Sequence, residues 1–155
     1  MPLLRAALSW NFVLATAICA SLLAQLIKVL LNLFIFHRFI AERMWGAGGM
    51  PSSHSATVCA MVVATGRYCG VNSPIFAIAA VLSIIVMYDA MGVRYETGEQ
   101  AKVLNRMFPE WMDQGFEQFQ LPHGKKLKEM VGHTPIEVVT GAALGIVLGF
   151  AMPMV

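Results

Sequence analysis

The stretch from Phe12 to Phe36, FVLATAICASLLAQLIKVLLNLFIF, contains a single charged residue, Lys28. At about 1.5 Å per residue a helix of that length crosses the ~30 Å hydrocarbon core of a bilayer. Three further apolar runs follow, from Ser55 to about Gly70, from Pro74 to Val93 and from Ile136 to Val155. The first, third and fourth runs are long enough to span, and the second is marginal. With 155 residues, 57% hydrophobic and 13% charged, and a mean hydropathy of +0.65, the chain is too apolar for a soluble domain of its size. The reading is an all-α, small polytopic membrane helical bundle of about four membrane helices.

Arg5 followed by small and apolar residues resembles a signal peptide. The apolar run continues through Leu30-Leu31-Asn32-Leu33-Phe34, longer than a cleavable segment needs, so a retained helix is expected. Cys19, Cys59 and Cys69 are odd in number, lack metal-ligand spacing and lie in or beside apolar segments, where thiols serve packing. A net charge of +2 without aromatic-basic interleaving gives no reason to expect a nucleic-acid partner. Lysines and arginines divide unevenly. Arg5 and Arg67 fall in one set of loops, and Arg38, Arg43, Arg94, Lys102, Arg106, Lys125, Lys126 and Lys128 in the other. If all four segments span, the positive-inside rule puts the second set in the cytoplasm and both termini outside, in what is expected to be the cell membrane.

One membrane-embedded domain, 1–155, is expected, with a polar insertion at 95–131. Within it, Glu96 to Phe108 reads as an interfacial helix carrying Val103, Leu104 and Met107 on one side and ended by Pro109. Glu110 to Phe116 reads as a loop at headgroup level, a lid or a plain surface connection. Gly141, Gly145 and Gly149 recur every four residues, as do Ala56, Ala60 and Ala64. Small residues at that spacing let helix backbones approach closely, within the chain or between copies, and a homodimer is the expected assembly.

Two histidines sit where loops run into apolar helices, in Gly48-Gly49-Met50-Pro51-Ser52-Ser53-His54-Ser55-Ala56 and Gly132-His133-Thr134-Pro135-Ile136-Glu137. A helix start presents unpaired N–H groups and positive potential to an anion, and an imidazole beside it attacks or exchanges protons. Ser52 and Ser53 either hold phosphate oxygens or simply cap the helix. His133 and Glu137 lie four apart on one face, which is either the spacing by which a carboxylate orients an imidazole for nucleophilic attack or an ordinary helix-start histidine with an exposed glutamate. Ser21, Gln25, Lys28 and Asn32 form a polar stripe, and a lysine there either binds an anion or snorkels. Asp89 and Arg94 form a mutual pair, or Arg94 clamps phosphate while Asp89 orients a cation such as Lys28.

At Met50-Pro51-Ser52-Ser53-His54-Ser55-Ala56, Val86-Met87-Tyr88-Asp89-Ala90 with Gly92-Val93-Arg94, and Gly132-His133-Thr134-Pro135-Ile136-Glu137-Val138, the sequence resembles the small divergent branch of the type-2 phosphatidic acid phosphatase (PAP2) superfamily. That superfamily is related to acid phosphatases and vanadium haloperoxidases. The resemblance implies a phosphohistidine mechanism with His133 as nucleophile, Glu137 orienting it and His54 as general acid. It makes Lys28, Ser52 and Ser53 candidates for phosphate binding, to which the residue reading above adds Arg94, with Asp89 and Gln25 in support. The departures are Ser53 for glycine, Glu137 for aspartate, no Arg-Pro after Lys28, and Lys126-Leu127 where a Ser-Arg pair is usual.

The expected function is therefore membrane-bound, metal- and cofactor-independent hydrolysis of a lipid phosphate or diphosphate. The alternative is a non-catalytic membrane protein that binds or transports phospholipid headgroups or inorganic anions. Metal-dependent hydrolysis through Asp89 and Glu137 ranks third, because carboxylates are not clustered at ligand spacing.

Overall fold

A computed structural model of the chain describes residues 11–36, 49–113, 126–129 and 131–154. Among these every regular element is an α-helix: α1 (Phe12–Phe36), α2 (Ser53–Cys69), α3 (Pro74–Met91), α4 (Val93–Asp113) and α5 (Pro135–Ala151). The protein is a small membrane helical bundle.

In α1 the inward row is Phe12, Thr16, Ala20, Ala24 and Lys28, all buried at four-residue steps, while Leu14, Ile18, Leu22, Leu26 and Leu30 point outward. This is the division expected where lipid solvates one side of a helix and small side chains admit a neighbour on the other. α3 is more outward still. Ile75, Ile78, Val81, Leu82, Ile84, Ile85 and Tyr88 are exposed, and Ala79, Ser83 and Ala90 are its buried residues. So large an apolar surface is the mark of a chain whose solvent is hydrocarbon. By length and composition, Phe12–Phe34 and the continuous Pro74–Met107 segment suffice to cross a membrane.

The last apolar run ends earlier than its composition implies. α5 stops at Ala151, because Met152 before Pro153 takes an extended conformation. Its 17 residues span about 25 Å, short of a full crossing by itself.

α2 is the central element and packs against α1, α3 and α5. Its contact with α5 is made by the two small-residue stripes. A β-carbon on Gly141 would fall on the Ser52 carbonyl, one on Gly145 on the Ala56 carbonyl, and one on Gly149 against Val63 and Ala60. The register rises together on both helices, so α2 and α5 run parallel, and the stripes are spent within the chain. Both helices consequently begin at one end of the bundle. Ser52 N–H donates to the Glu137 carbonyl there at 2.9 Å, and His133 N–H to the Ala90 carbonyl at 2.9 Å. The opposite end is closed by Arg67, whose Nη1 donates to the carbonyls of Gly149 (2.6 Å), Phe150 (3.1 Å) and Met152 (2.7 Å) and whose guanidinium lies over the Phe12 ring.

Only Gly92 separates α3 from α4, and Pro109 does not end α4, which continues to Asp113. An internal proline removes one hydrogen bond and costs a helix about 3 kcal/mol, yet the helix runs through this one. The expected headgroup-level loop therefore loses residues 110–113 to α4, and 114–116 lie outside the described residues. Gly48, Arg5, Arg38, Arg43 and Lys125 also lie outside them. Val103 and Leu104 are exposed on α4, and the buried side is Gly98, Ala101 and Asn105.

Gly145→Ala separates packing from propensity. Helix propensity favours alanine by up to about 1 kcal/mol, whereas forcing α2 and α5 apart costs about 1–3 kcal/mol. The expected outcome is a lower unfolding midpoint in detergent; a higher one would mean that the two helices are not in backbone contact.

Candidate functional site

The parallel start of α2 and α5 sets the two histidines side by side, His54 in the first turn of α2 and His133 just before α5. Their rings meet edge to face with centroids 5.8 Å apart. His133 is 2% exposed. Its Nδ1 lies 3.2 Å from Glu137 Oε2, and the same oxygen accepts the Thr134 N–H at 3.1 Å. Glu137 is thus both the third-residue partner of a helix-start box, Thr134-x-x-Glu137, and the holder of the imidazole. The remaining nitrogen, His133 Nε2, is buried and has no hydrogen-bond partner among the described residues. A buried nitrogen left so costs about 1–3 kcal/mol, which a fold retains where a ligand completes the shell.

His133 and His54 line a cavity of about 160 Å³ together with Val86, Asp89, Ala90, Arg94 and Gly132. Arg94 Nε donates to Asp89 Oδ2 across the Gly92 break between α3 and α4. Asp89 therefore pairs with Arg94, and no ion pair joins it to Lys28. A second cavity of about 130 Å³ lies on the other side of Gly132, lined by Gly49, Tyr95, Glu99, Lys102, Glu129, Val131, Thr134 and Glu137. The His133–Glu137 pair thus forms a partition, with the imidazole facing one cavity and the carboxylate the other.

Gly132 makes the partition thin. Its φ of +84° is open to glycine, and a β-carbon there would fall on the Arg94–Tyr95 peptide, so only a bare backbone brings His133 this close to the start of α4. The approach is fixed from the other side by Asn105, whose amide donates to the Leu127 carbonyl and Glu129 Oε1 and whose carbonyl accepts the Leu127 N–H, each at 2.8 Å. Sequence reading missed Asn105, because a lone asparagine in an amphipathic helix carries no sign of a partner twenty residues away.

The other expected site residues are placed as follows. Ser52 is fully buried and caps α2: its hydroxyl accepts from Ser55 N–H at 3.3 Å and Ser55 Oγ at 3.1 Å. Ser53 is buried beside it, and neither lines either of these two cavities. Lys28 is 1% exposed and also lines neither. Gln25, one turn earlier, has its Oε1 buried without a partner among the described residues. Asn32 Nδ2 donates to the Lys28 carbonyl at 2.9 Å. Among the described residues no group of three or more His, Cys, Asp or Glu is placed to hold a metal ion.

The family described as the divergent PAP2 family matches residues 9–148. The chain belongs to the divergent PAP2 family. Within it, the uncharacterized membrane protein YuiD of Bacillus subtilis (strain 168) is 38% identical over 144 residues, covering 89% of this chain and 91% of that one. No solved structure matches the chain. The span matched by the divergent PAP2 family contains every site residue named above, from Gln25 in α1 to Glu137 in α5.

Asn105→Ala removes the clasp that holds 126–129 against α4, a loss of about 1–3 kcal/mol in local stability. Hydrogen exchange at 126–133 is expected to accelerate while that of α1 and α2 stays unchanged. Uniform acceleration across the chain would mean that Asn105 supports the fold as a whole and not this segment.

Proposed function

We propose that this divergent PAP2 family protein is a membrane-bound phosphatase that hydrolyses a lipid phosphate or diphosphate through a phosphohistidine intermediate. The observation that carries the reading is His133, with one nitrogen held by a carboxylate and the other buried, unpartnered and beside an arginine-lined cavity. With the Nδ1 proton directed at Glu137, Nε2 carries the lone pair. That lone pair attacks phosphorus; the N–P bond forms as the bond from phosphorus to the leaving oxygen breaks, and the leaving oxygen takes a proton from His54. Water then attacks the phosphohistidine, giving a proton back to His54, and the N–P bond breaks to release phosphate and restore His133. No redox change occurs, and each proton lent by His54 is returned.

Arg94 supplies the fixed positive charge in the cavity. Asp89 engages its Nε, which leaves both terminal nitrogens of the guanidinium for the equatorial phosphate oxygens. The start of α2 adds its dipole from below. The apolar surface of α3 beside Val86 and Ala90 suits a substrate whose body stays in the membrane while its phosphate enters the cavity.

The test is phosphate release from a panel of lipid phosphates by detergent-purified protein with chelator present. Wild type is expected to release phosphate and His133→Ala none. Arg94→Ala is expected to cost about 2.7–4 kcal/mol of transition-state stabilisation, some 10²–10³-fold in rate. Binding of a lipid phosphate without release by wild type would replace this reading with a binding or transport role, and equal release by His133→Ala would move the nucleophile elsewhere.

A further inference from the structure

α2 and α3 each begin at a serine, Ser52 and Ser73, whose hydroxyl accepts a first-turn N–H. α4 begins after Gly92, which has no side chain to do so. Around that glycine the hydrogen-bond ladder from α3 into α4 is interrupted. Gly92 N–H donates to the Tyr88 carbonyl at 2.8 Å and Glu96 N–H to the Gly92 carbonyl at 3.0 Å. Between them the N–H groups of Val93, Arg94 and Tyr95 have no acceptor among the described residues. In an unbroken helix the Ala90 carbonyl would accept from Arg94 N–H, four residues on. Here it accepts from His133 N–H at 2.9 Å. One exchange of partner therefore frees the Arg94 amide and ties the backbone of the histidine to the end of α3.

The N–H groups of a first turn point back along the helix axis, here toward the break. The cavity of about 160 Å³ lies at that break, lined by Asp89 and Ala90 on the α3 side, by Arg94 on the α4 side and by Gly132 and His133 across from them. A β-carbon on Gly132 would fall on the Tyr95 nitrogen and lie 2.6 Å from the Arg94 carbonyl carbon, so Tyr95 N–H abuts backbone and Val93 and Arg94 hold the open amides. An independent sign of a ligand stands in the same cavity: His133 is 2% exposed, and its Nε2 is buried without a partner among the described residues.

We propose that the start of α4 is an oxyanion-binding element, in which the backbone N–H groups of Val93 and Arg94, released by the break at Gly92, donate to phosphoryl oxygens beside the Arg94 guanidinium. The kinetic consequence rests on the phosphatase reading, whereas anion binding at α4 stands apart from it. Peptide donors held by a helix need no reorganisation as charge builds on those oxygens, and the dipole of α4 adds positive potential at the same point. His133 N–H meanwhile engages the Ala90 carbonyl, whose oxygen would otherwise oppose the anion. Arg94 thus serves the anion twice, through its side chain and through its own amide.

The test is titration of the full-length, ¹⁵N-labelled protein in detergent with inorganic phosphate, followed by NMR. The amide protons of Val93 and Arg94 are expected to move downfield and saturate over the same concentrations that shift the His133 ring nitrogens. A shift at His133 with those two amides unmoved would overturn the proposal, as would no response anywhere. In Arg94→Ala, phosphate is expected to bind at least about tenfold more weakly while the amide shifts at positions 93 and 94 persist at saturation; their loss would assign binding to the side chain alone. Gly92→Ala favours an unbroken helix that returns the Ala90 carbonyl to Arg94 N–H, and is expected to weaken phosphate binding about fivefold. Unchanged or tighter binding in that variant would count against the proposal, and where it does not fold the wild-type titration decides. Turnover of a lipid phosphate with silent amides would remove this element and leave the phosphatase reading standing. Amide shifts without turnover would keep the element and remove that reading.

Discussion

The site depends on the bare-backbone contact between α2 and α5. In hydrocarbon there is no hydrophobic drive to bring helices together, so association comes from dispersion between closely fitted surfaces and from the few polar contacts available. Glycines at 141, 145 and 149 remove the side chains from one surface, and Ser52, Ala56 and Ala60 nearly remove them from the other. The two helices settle in parallel, and their first turns lie level. Everything chemical follows from that levelness: His54 beside His133, the Ser52 N–H on the Glu137 carbonyl, and two positive helix ends at one mouth.

A bundle this apolar must account for each polar group it encloses. Ser52 and Ser55 satisfy one another at the cap of α2, Ser83 donates to the Val58 carbonyl, and Arg67 gathers the loose carbonyls at the end of α5. Glu137 does the most with least, one oxygen serving both the helix start and the histidine. Against this economy, the unpartnered His133 Nε2 stands out as an unmet demand at the point where two helix dipoles and an arginine converge.

Much of this was legible in the chain. The apolar runs set the helices, the four-residue recurrence of glycine and alanine marked the faces fit for close backbone approach without saying what would meet them, and the spacing of His133 and Glu137 put both on one face, because residues four apart on a helix are neighbours. What was not legible were matters of partner. Asp89 had two cations within reach of reason, and only the short path across Gly92 decided for Arg94. Ser52 had two uses, and burial assigned its hydroxyl to the cap. Pro109 read as a stop because local propensity opposes a proline inside a helix, and α4 nevertheless continues to Asp113. Asn105 could not be seen at all, since its partners arrive from a segment distant in sequence.

The sequence by itself determined that this is a membrane helical bundle with two histidine-bearing helix starts, because hydropathy, small-residue periodicity and short-range spacing are local properties that no fold can undo. Tertiary structure decided which end those starts share, that the glycine stripe is spent inside the chain, and that the buried Lys28 stem passes close to Gly49. Those outcomes depend on how far apart two backbones can lie. That distance is set by every side chain along a helix pair at once and is written at no single position.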